Sequence, residues 1–245
     1  MSGHSKWANI RVRKESQDAR RGKIYTKHAR LIEMAARDGG DPNLNAKLRS
    51  ALDSARADSI PSSIMDRAIK KGTGALKDAA RMEEILYEAY GPGGTAFLIE
   101  CLTDNRNRTI ANIKAILHRH DGRFAESGSV SWMFARKGVV VATSGQGTMD
   151  NGKDVVELQL IDAGAEDIEW DDGSVTVTTK PAEWGSARNA LKNLGCVIEE
   201  AGLKYVPEQT VSITDAALGK RVVALLEALE GDDDVAEVHT NAELH

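Results

Sequence analysis

Ten cations stand in the first thirty-seven residues: Lys6, Arg11, Arg13, Lys14, Arg20, Arg21, Lys23, Lys27, Arg30 and Arg37. Only Glu15, Asp18 and Glu33 oppose them there. Side chains of this kind neutralise phosphates and release the counterions condensed around them. Ten against three leaves +7 on this segment; the whole chain carries -5, so residues 38–245 carry -12. A split of this size points to a polyanion held at one end of the chain. Trp7, in the run Gly3-His4-Ser5-Lys6-Trp7-Ala8-Asn9-Ile10, could stack on an unpaired base. The plainer alternative is a solvated basic tail with Trp7 packed against a neighbouring domain.

A second constellation is Thr103-Asp104-Asn105-Arg106-Asn107-Arg108. It places Arg106 and Arg108 at a helix start, where backbone N–H groups and the helix dipole already favour an anion. The same arginines could instead pair with Glu100, Asp104 or the acidic surface beside a well-capped helix. Signatures of catalysis are missing: the sequence holds no G-x-S-x-G elbow, no H-E-x-x-H and no Walker A loop. His118 and His120 are two apart and do not share a helix face, and the other histidines are scattered. No catalytic residue, metal ligand, cofactor or small-molecule substrate is therefore expected.

Composition sets the outer bounds. A chain of 245 residues can hold two or three modest cores. With 41% hydrophobic but only 4% aromatic residues, those cores must be built from Ala, Val, Leu and Ile. No apolar run approaches the roughly 20 residues that span a bilayer, and the first residues lack a secretory apolar stretch. Cys101 and Cys196 sit apart in apolar runs and read as small buried hydrophobes of a reducing cytoplasm.

The elements that must carry these residues follow from periodicity. Residues 22–72 read as three helices. The first shows one face in Ile24, His28, Leu31, Ile32 and Ala35, with Lys23, Lys27, Arg30 and Arg37 on a separate stripe. Gly39-Gly40 stops it. Asp41-Pro42 offers a cap for the second, with Leu44, Leu48, Ala51, Leu52 and Ala55 inward. The third starts near Pro61, packs Ile64, Ala68 and Ile69, and ends in Lys70-Lys71-Gly72. Strands are expected at 85–90 and 95–102 around the Gly91-Pro92-Gly93-Gly94 turn. A helix capped by Thr103 or Asp104 comes next, then a strand at 129–134. From 137 to 206 the order is βαββαβ, the split-βαβ or ferredoxin-like arrangement, with a hairpin at Asp172-Gly173. Strand, helix and strand at 211–214, 216–230 and 235–240 close the chain.

The stretches GHSKWANI, Gln17-Asp18-Ala19-Arg20-Arg21-Gly22-Lys23 and Tyr25-Thr26-Lys27 resemble the opening of the YebC/PmpR family. That family includes the mitochondrial translational activator of cytochrome c oxidase. Tyr90–Gly94, Leu102–Thr109 and Gly128-Ser129-Val130 fit its central motifs. The resemblance implies an α+β chain of three domains, in agreement with the element order. They are an N-terminal three-helix bundle (1–78), a discontinuous α/β domain (79–136 and 207–245) and an inserted ferredoxin-like domain (137–206). It also implies a DNA-binding regulator of transcription. The mitochondrial relatives imply the alternative, a translation factor on the ribosome contacting ribosomal or transfer RNA. In either case Lys6, Trp7, Arg11, Arg13, Lys14, Arg20, Arg21, Lys23, Lys27, Arg30, Arg106 and Arg108 are the expected contacts, and the setting is cytoplasmic.

Overall fold

The computed structural model describes residues 17–75, 82–143, 153–171 and 173–244, with side chains from Ile24 onward apart from that of Ala57. They fall into two compact units, one comprising Arg13–Ser129 with Lys220–Val238, the other Val130–Gly219 with the final residues from His239. The protein is mixed α/β, with seven α-helices and mostly antiparallel sheets among the described residues.

The first unit opens with three helices, α1 (Gln17–Ala35), α2 (Ala46–Ala57) and α3 (Ser62–Gly72). Their shared core is Ile32, Ala36, Leu48, Leu52, Ala55, Ile60, Met65 and Ala68. The buried face of α1 runs through Tyr25, His28, Ala29, Ile32 and Ala36, so the expected Ile24 lies just outside it and is exposed. The α2 cap is Asn45 rather than Asp41, and Leu44 is 88% exposed rather than buried. The reason is local. Asp41 spends its carboxylate on the Asn43 N–H in a turn (2.9 Å), while Asn45 satisfies three backbone groups at once. Its Oδ1 accepts from Leu48 N, and its Nδ2 donates to the carbonyls of Ala35 and Gly39. Those bonds fix the angle between α1 and α2. His28 adds a second tie, with Nε2 2.6 Å from the Asp58 carboxylate at the end of α2.

Next comes a four-stranded sheet. Strands β1 (Glu83–Tyr90) and β2 (Ala96–Thr103) pair antiparallel with Glu83 opposite Thr103 and Tyr90 opposite Ala96. With β3 (Arg123–Ala125) and β9 (Val235–Thr240) the order is β3-β1-β2-β9. The β1–β2 turn uses Gly93 at φ +73°, a conformation only glycine adopts cheaply. Helix α4 (Arg106–Arg119) follows β2 and buries Thr109, Ile113, Ile116 and Leu117. Its cap is Asn105, whose side chain accepts from Arg108 N at 3.1 Å. Thr103, expected as the cap, instead accepts from Asn105 N and braces the cap itself.

In the second unit, β4 (Phe134–Thr143), α5 (Lys153–Asp162), β5 (Ala165–Asp171), β6 (Ser174–Thr179), α6 (Trp184–Asn193) and β7 (Val197–Pro207) form a sheet ordered β5-β6-β4-β7. All its neighbours are antiparallel, which is the split-βαβ pattern. The expected strand at 129–134 is instead a 3-10 turn at Ser131–Met133 leading into β4, which runs unbroken through residue 137. Gly173 takes φ +83° in the β5–β6 hairpin, while Asp172 lies outside the described residues. One face of the sheet packs Val140, Ala142, Val175 and Val177 against Val156, Leu160, Ala187 and Leu191 of the two helices. β8 (Val211–Ile213) pairs in parallel with β10 (Ala242–Leu244). α7 (Ala216–Glu230) runs into the first unit from Lys220 on and buries Val222, Leu225, Leu226 and Leu229 there.

Gly72 marks where α3 meets α1 most closely: a Cβ there would stand 2.2 Å from the Glu33 carbonyl oxygen and 2.7 Å from Ala36 Cβ. Gly72→Ala should therefore push the two helices apart and destabilise the bundle by about 1–3 kcal/mol. Amide hydrogen exchange should show the loss in α1 and α3; unchanged protection there would show that the contact is not tight.

Candidate nucleic-acid interface

Part of the basic front of the chain is carried on α1. Of the expected contacts, Lys6, Trp7, Arg11, Arg13 and Lys14 lie outside the described residues. Arg20, Arg21 and Lys23 lie on α1, and their side chains are not among those described. Lys27 is half-buried on α1, and Arg37 is exposed just past its end. Arg37 and three further exposed cations, Arg49 on α2 and Arg67 and Lys70 on α3, were not among the expected contacts. None of these five forms an ion pair with another described residue. Lys47, Arg56 and Lys71, by contrast, pair with Asp38, Asp53 and Glu33.

Arg30 and Arg108 behave differently. Both converge on one carboxylate, Asp234, whose side chain is only 3% exposed. Arg30 reaches from α1 with Nη2 3.0 Å from Asp234 Oδ1, and its Nη1 donates to the Leu102 carbonyl at 2.9 Å and also to the Asp233 carbonyl. From α4, Arg108 grips both oxygens, with Nη2 2.8 Å from Oδ1 and Nε 3.2 Å from Oδ2. Its Nη2 also bonds Asp104 at 2.9 Å. The Thr109 hydroxyl lies 2.7 Å from Oδ2, Thr103 supports it, and Leu102 N donates to the Asp234 carbonyl at 2.8 Å. The Thr103–Arg108 run therefore builds a carboxylate clamp, and the internal pairing of Arg108 is the one observed. Arg106 stays exposed on the first turn of α4.

Burial alone would push the Asp234 carboxyl up. The Thr109 hydroxyl, the Arg108 guanidinium and the charge of Arg30 outweigh it, and the group lies below its ordinary value. Arg108 is raised in turn, chiefly by its bond to Asp234. Cys101, buried on the adjacent strand β2, has its thiol pushed up to about 12, first by burial and then by the charges of Asp232 and Asp234. It is an inert apolar side chain, as its sequence context indicates.

Two family models together match most of the chain. One, described as the TACO1/YebC protein N-terminal domain, matches residues 5–75; the other, the TACO1/YebC second and third domain, matches residues 82–242. The chain belongs to the TACO1/YebC family. Relatives in Fusobacterium nucleatum and Desulfotalea psychrophila are each 44% identical over the whole chain and 96% of their own length. One in Kosmotoga olearia is 46% identical, covering all of this chain and 95% of its own. All three carry the name "probable transcriptional regulatory protein". The fold resembles the crystal structure of a conserved hypothetical protein from Aquifex aeolicus, with a TM-score of 0.85, 36% identity and 98% of each chain covered. No described helix of this TACO1/YebC protein is long and apolar enough to cross a membrane.

The clamp makes a pH prediction. A carboxyl held below its unfolded value stabilises the fold fully above that value, near 3.8, and loses its contribution as pH falls through the folded one. Asp234→Asn should cost about 3 kcal/mol at neutral pH, by stranding two guanidinium groups. Its thermal midpoint should then fall less steeply than that of the wild type below about pH 4. Parallel pH profiles for the two proteins would contradict a charged Asp234.

Proposed function

We propose that this TACO1/YebC protein is a nucleic-acid-binding regulator of gene expression, a DNA-binding transcriptional regulator of the kind its relatives are named for. It carries no catalytic step and acts in the cytoplasm. The observation that carries this reading is the +7 charge of the first thirty-seven residues on a chain that is otherwise -12. The contact surface combines the expected cations Lys6, Arg11, Arg13, Lys14, Arg20, Arg21, Lys23 and Lys27, with Trp7 beside them. Arg37, Arg49, Arg67 and Lys70 extend it across the three helices. Arg30 and Arg108 leave the contact set because the clamp engages them; Arg106 remains, at an exposed helix start where a phosphate is favoured. In domain terms the head is residues 1–78, on a discontinuous domain of 79–136 and 207–245 that carries an inserted ferredoxin-like domain, 137–206.

The contact is one of phosphate and shape. Reading adenine bidentately in the major groove takes Asn or Gln on a recognition helix. The α1 stripe of Lys23, Lys27 and Arg37 offers neither Asn nor Gln. That observation also suits structured RNA, and keeps a ribosome-bound translation factor as the second reading.

With about six cations on phosphates, affinity should fall roughly 10³-fold between about 50 and 200 mM salt. Lys27→Glu/Arg37→Glu/Lys70→Glu should weaken binding about equally for all duplex sequences, lowering the salt slope by about one per lost contact. Fluorescence anisotropy on promoter and random DNA, with ribosome co-sedimentation alongside, tests both readings. A flat salt response would sink the phosphate scheme; binding confined to ribosomes would select the second reading.

A further inference from the structure

Helix α5 is apolar on two opposite sides. Val156 and Leu160 point into the core beneath it and are fully buried. Val155, Leu158 and Ile161 recur every three residues, spread over about 120° on the other side. They are 46%, 63% and 56% exposed. Three exposed apolar side chains in register on one helix face mark a contact surface, so the outer stripe calls for a partner.

The surroundings say what kind. α5 itself carries Asp154, Glu157 and Asp162 against one lysine, Lys153, a net of -2, with exposed Asp154 and Asp162 at the two ends of the stripe. The β5 acids Asp167, Glu169 and Asp171 alternate with Ile168 and Trp170, which pack on the core beneath α5, and so lie on the other face of the sheet. α5 is fastened to β5 by Trp170, whose Nε1 donates to Glu157 at 2.7 Å and whose ring lies under the Lys153 ammonium at 5.1 Å. β5 is the edge of its sheet. Glu166 is partly neutralised by Lys137 at 2.7 Å. Asp154, Asp162 and Asp167 are exposed, and none pairs with a described cation.

We infer that the α5 stripe, with its acidic rim, is a docking face for a basic amphipathic helix of a partner protein. Such a helix seats apolar residues at i, i+3 or i+4 and i+7 on the stripe while its Lys and Arg flanks meet the rim. Nucleic acid and anionic lipid are repelled by the same charge. A second copy fits poorly: it would set Asp154 and Asp162 of one face against those of another, and three side chains fall well short of the roughly 800 Å² per partner that a stable dimer buries. The stripe shares no residue with the proposed nucleic-acid contacts, so this inference does not rest on the nucleic-acid reading.

The test uses the full chain and three synthetic peptides. The first is a Leu/Lys sequence with its leucines on one helical face. The second scrambles that composition, and the third replaces each Lys with Glu. The first should bind, moving the backbone amide resonances of α5. The scramble and the Glu peptide should bind at least about tenfold more weakly, as should Val155→Ser/Leu158→Ser/Ile161→Ser with the first. Leu158→Asp serves as a second variant, and both should keep the wild-type melting curve because the residues are exposed. Equal binding by the scramble, or undiminished binding by either variant, overturns the proposal. Self-association of the wild type that either variant abolishes overturns it in favour of a second copy.

Discussion

A single buried carboxylate, Asp234, draws together segments from distant parts of the chain. A charge so far from water is costly unless its lone pairs are filled and its sign is balanced. Two guanidinium groups, a threonine hydroxyl and the surrounding backbone do both. Arg30 comes from α1 and Arg108 from α4; the acid precedes β9, and Leu102 belongs to β2. The position of the front helix relative to the sheet beside it is thus set by charge-assisted bonds with directional geometry, which hold register better than apolar contact alone.

That arrangement separates two uses of arginine. Those in the clamp are consumed by the fold. Lys27, Arg37, Arg49, Arg67 and Lys70 form no ion pair with a described residue, which leaves them for the phosphate contact proposed above. The α5 stripe proposed as a docking face uses a different set of residues, with Asp154 and Asp162 at its ends.

Much of this was legible in the sequence, and the misses have physical causes. The βαββαβ order could be read because strand alternation and helical periodicity are strong over six or more residues each. β3 and β10, at three residues each, are too short to show a period. The caps at Asn45 and Asn105 were missed because Asp41, Thr103 and Asp104 are equally good caps by type; only the bonds they make decide. Arg30 read as part of a surface stripe because its partner lies in the Asp232-Asp233-Asp234 run near the other end of the chain, which pattern alone takes for a solvated acid cluster. In α5 the apolar residues are visible, but periodicity cannot say that three of the five face outward.

A double-mutant cycle on Arg30→Met and Asp234→Asn, read by native-state hydrogen exchange in α1 and β2, tests the clamp most directly. A coupling energy of about 1–3 kcal/mol, felt in both elements, is the expected result. Additive effects, or a loss confined to one element, would show that the front helix is placed by something other than Asp234.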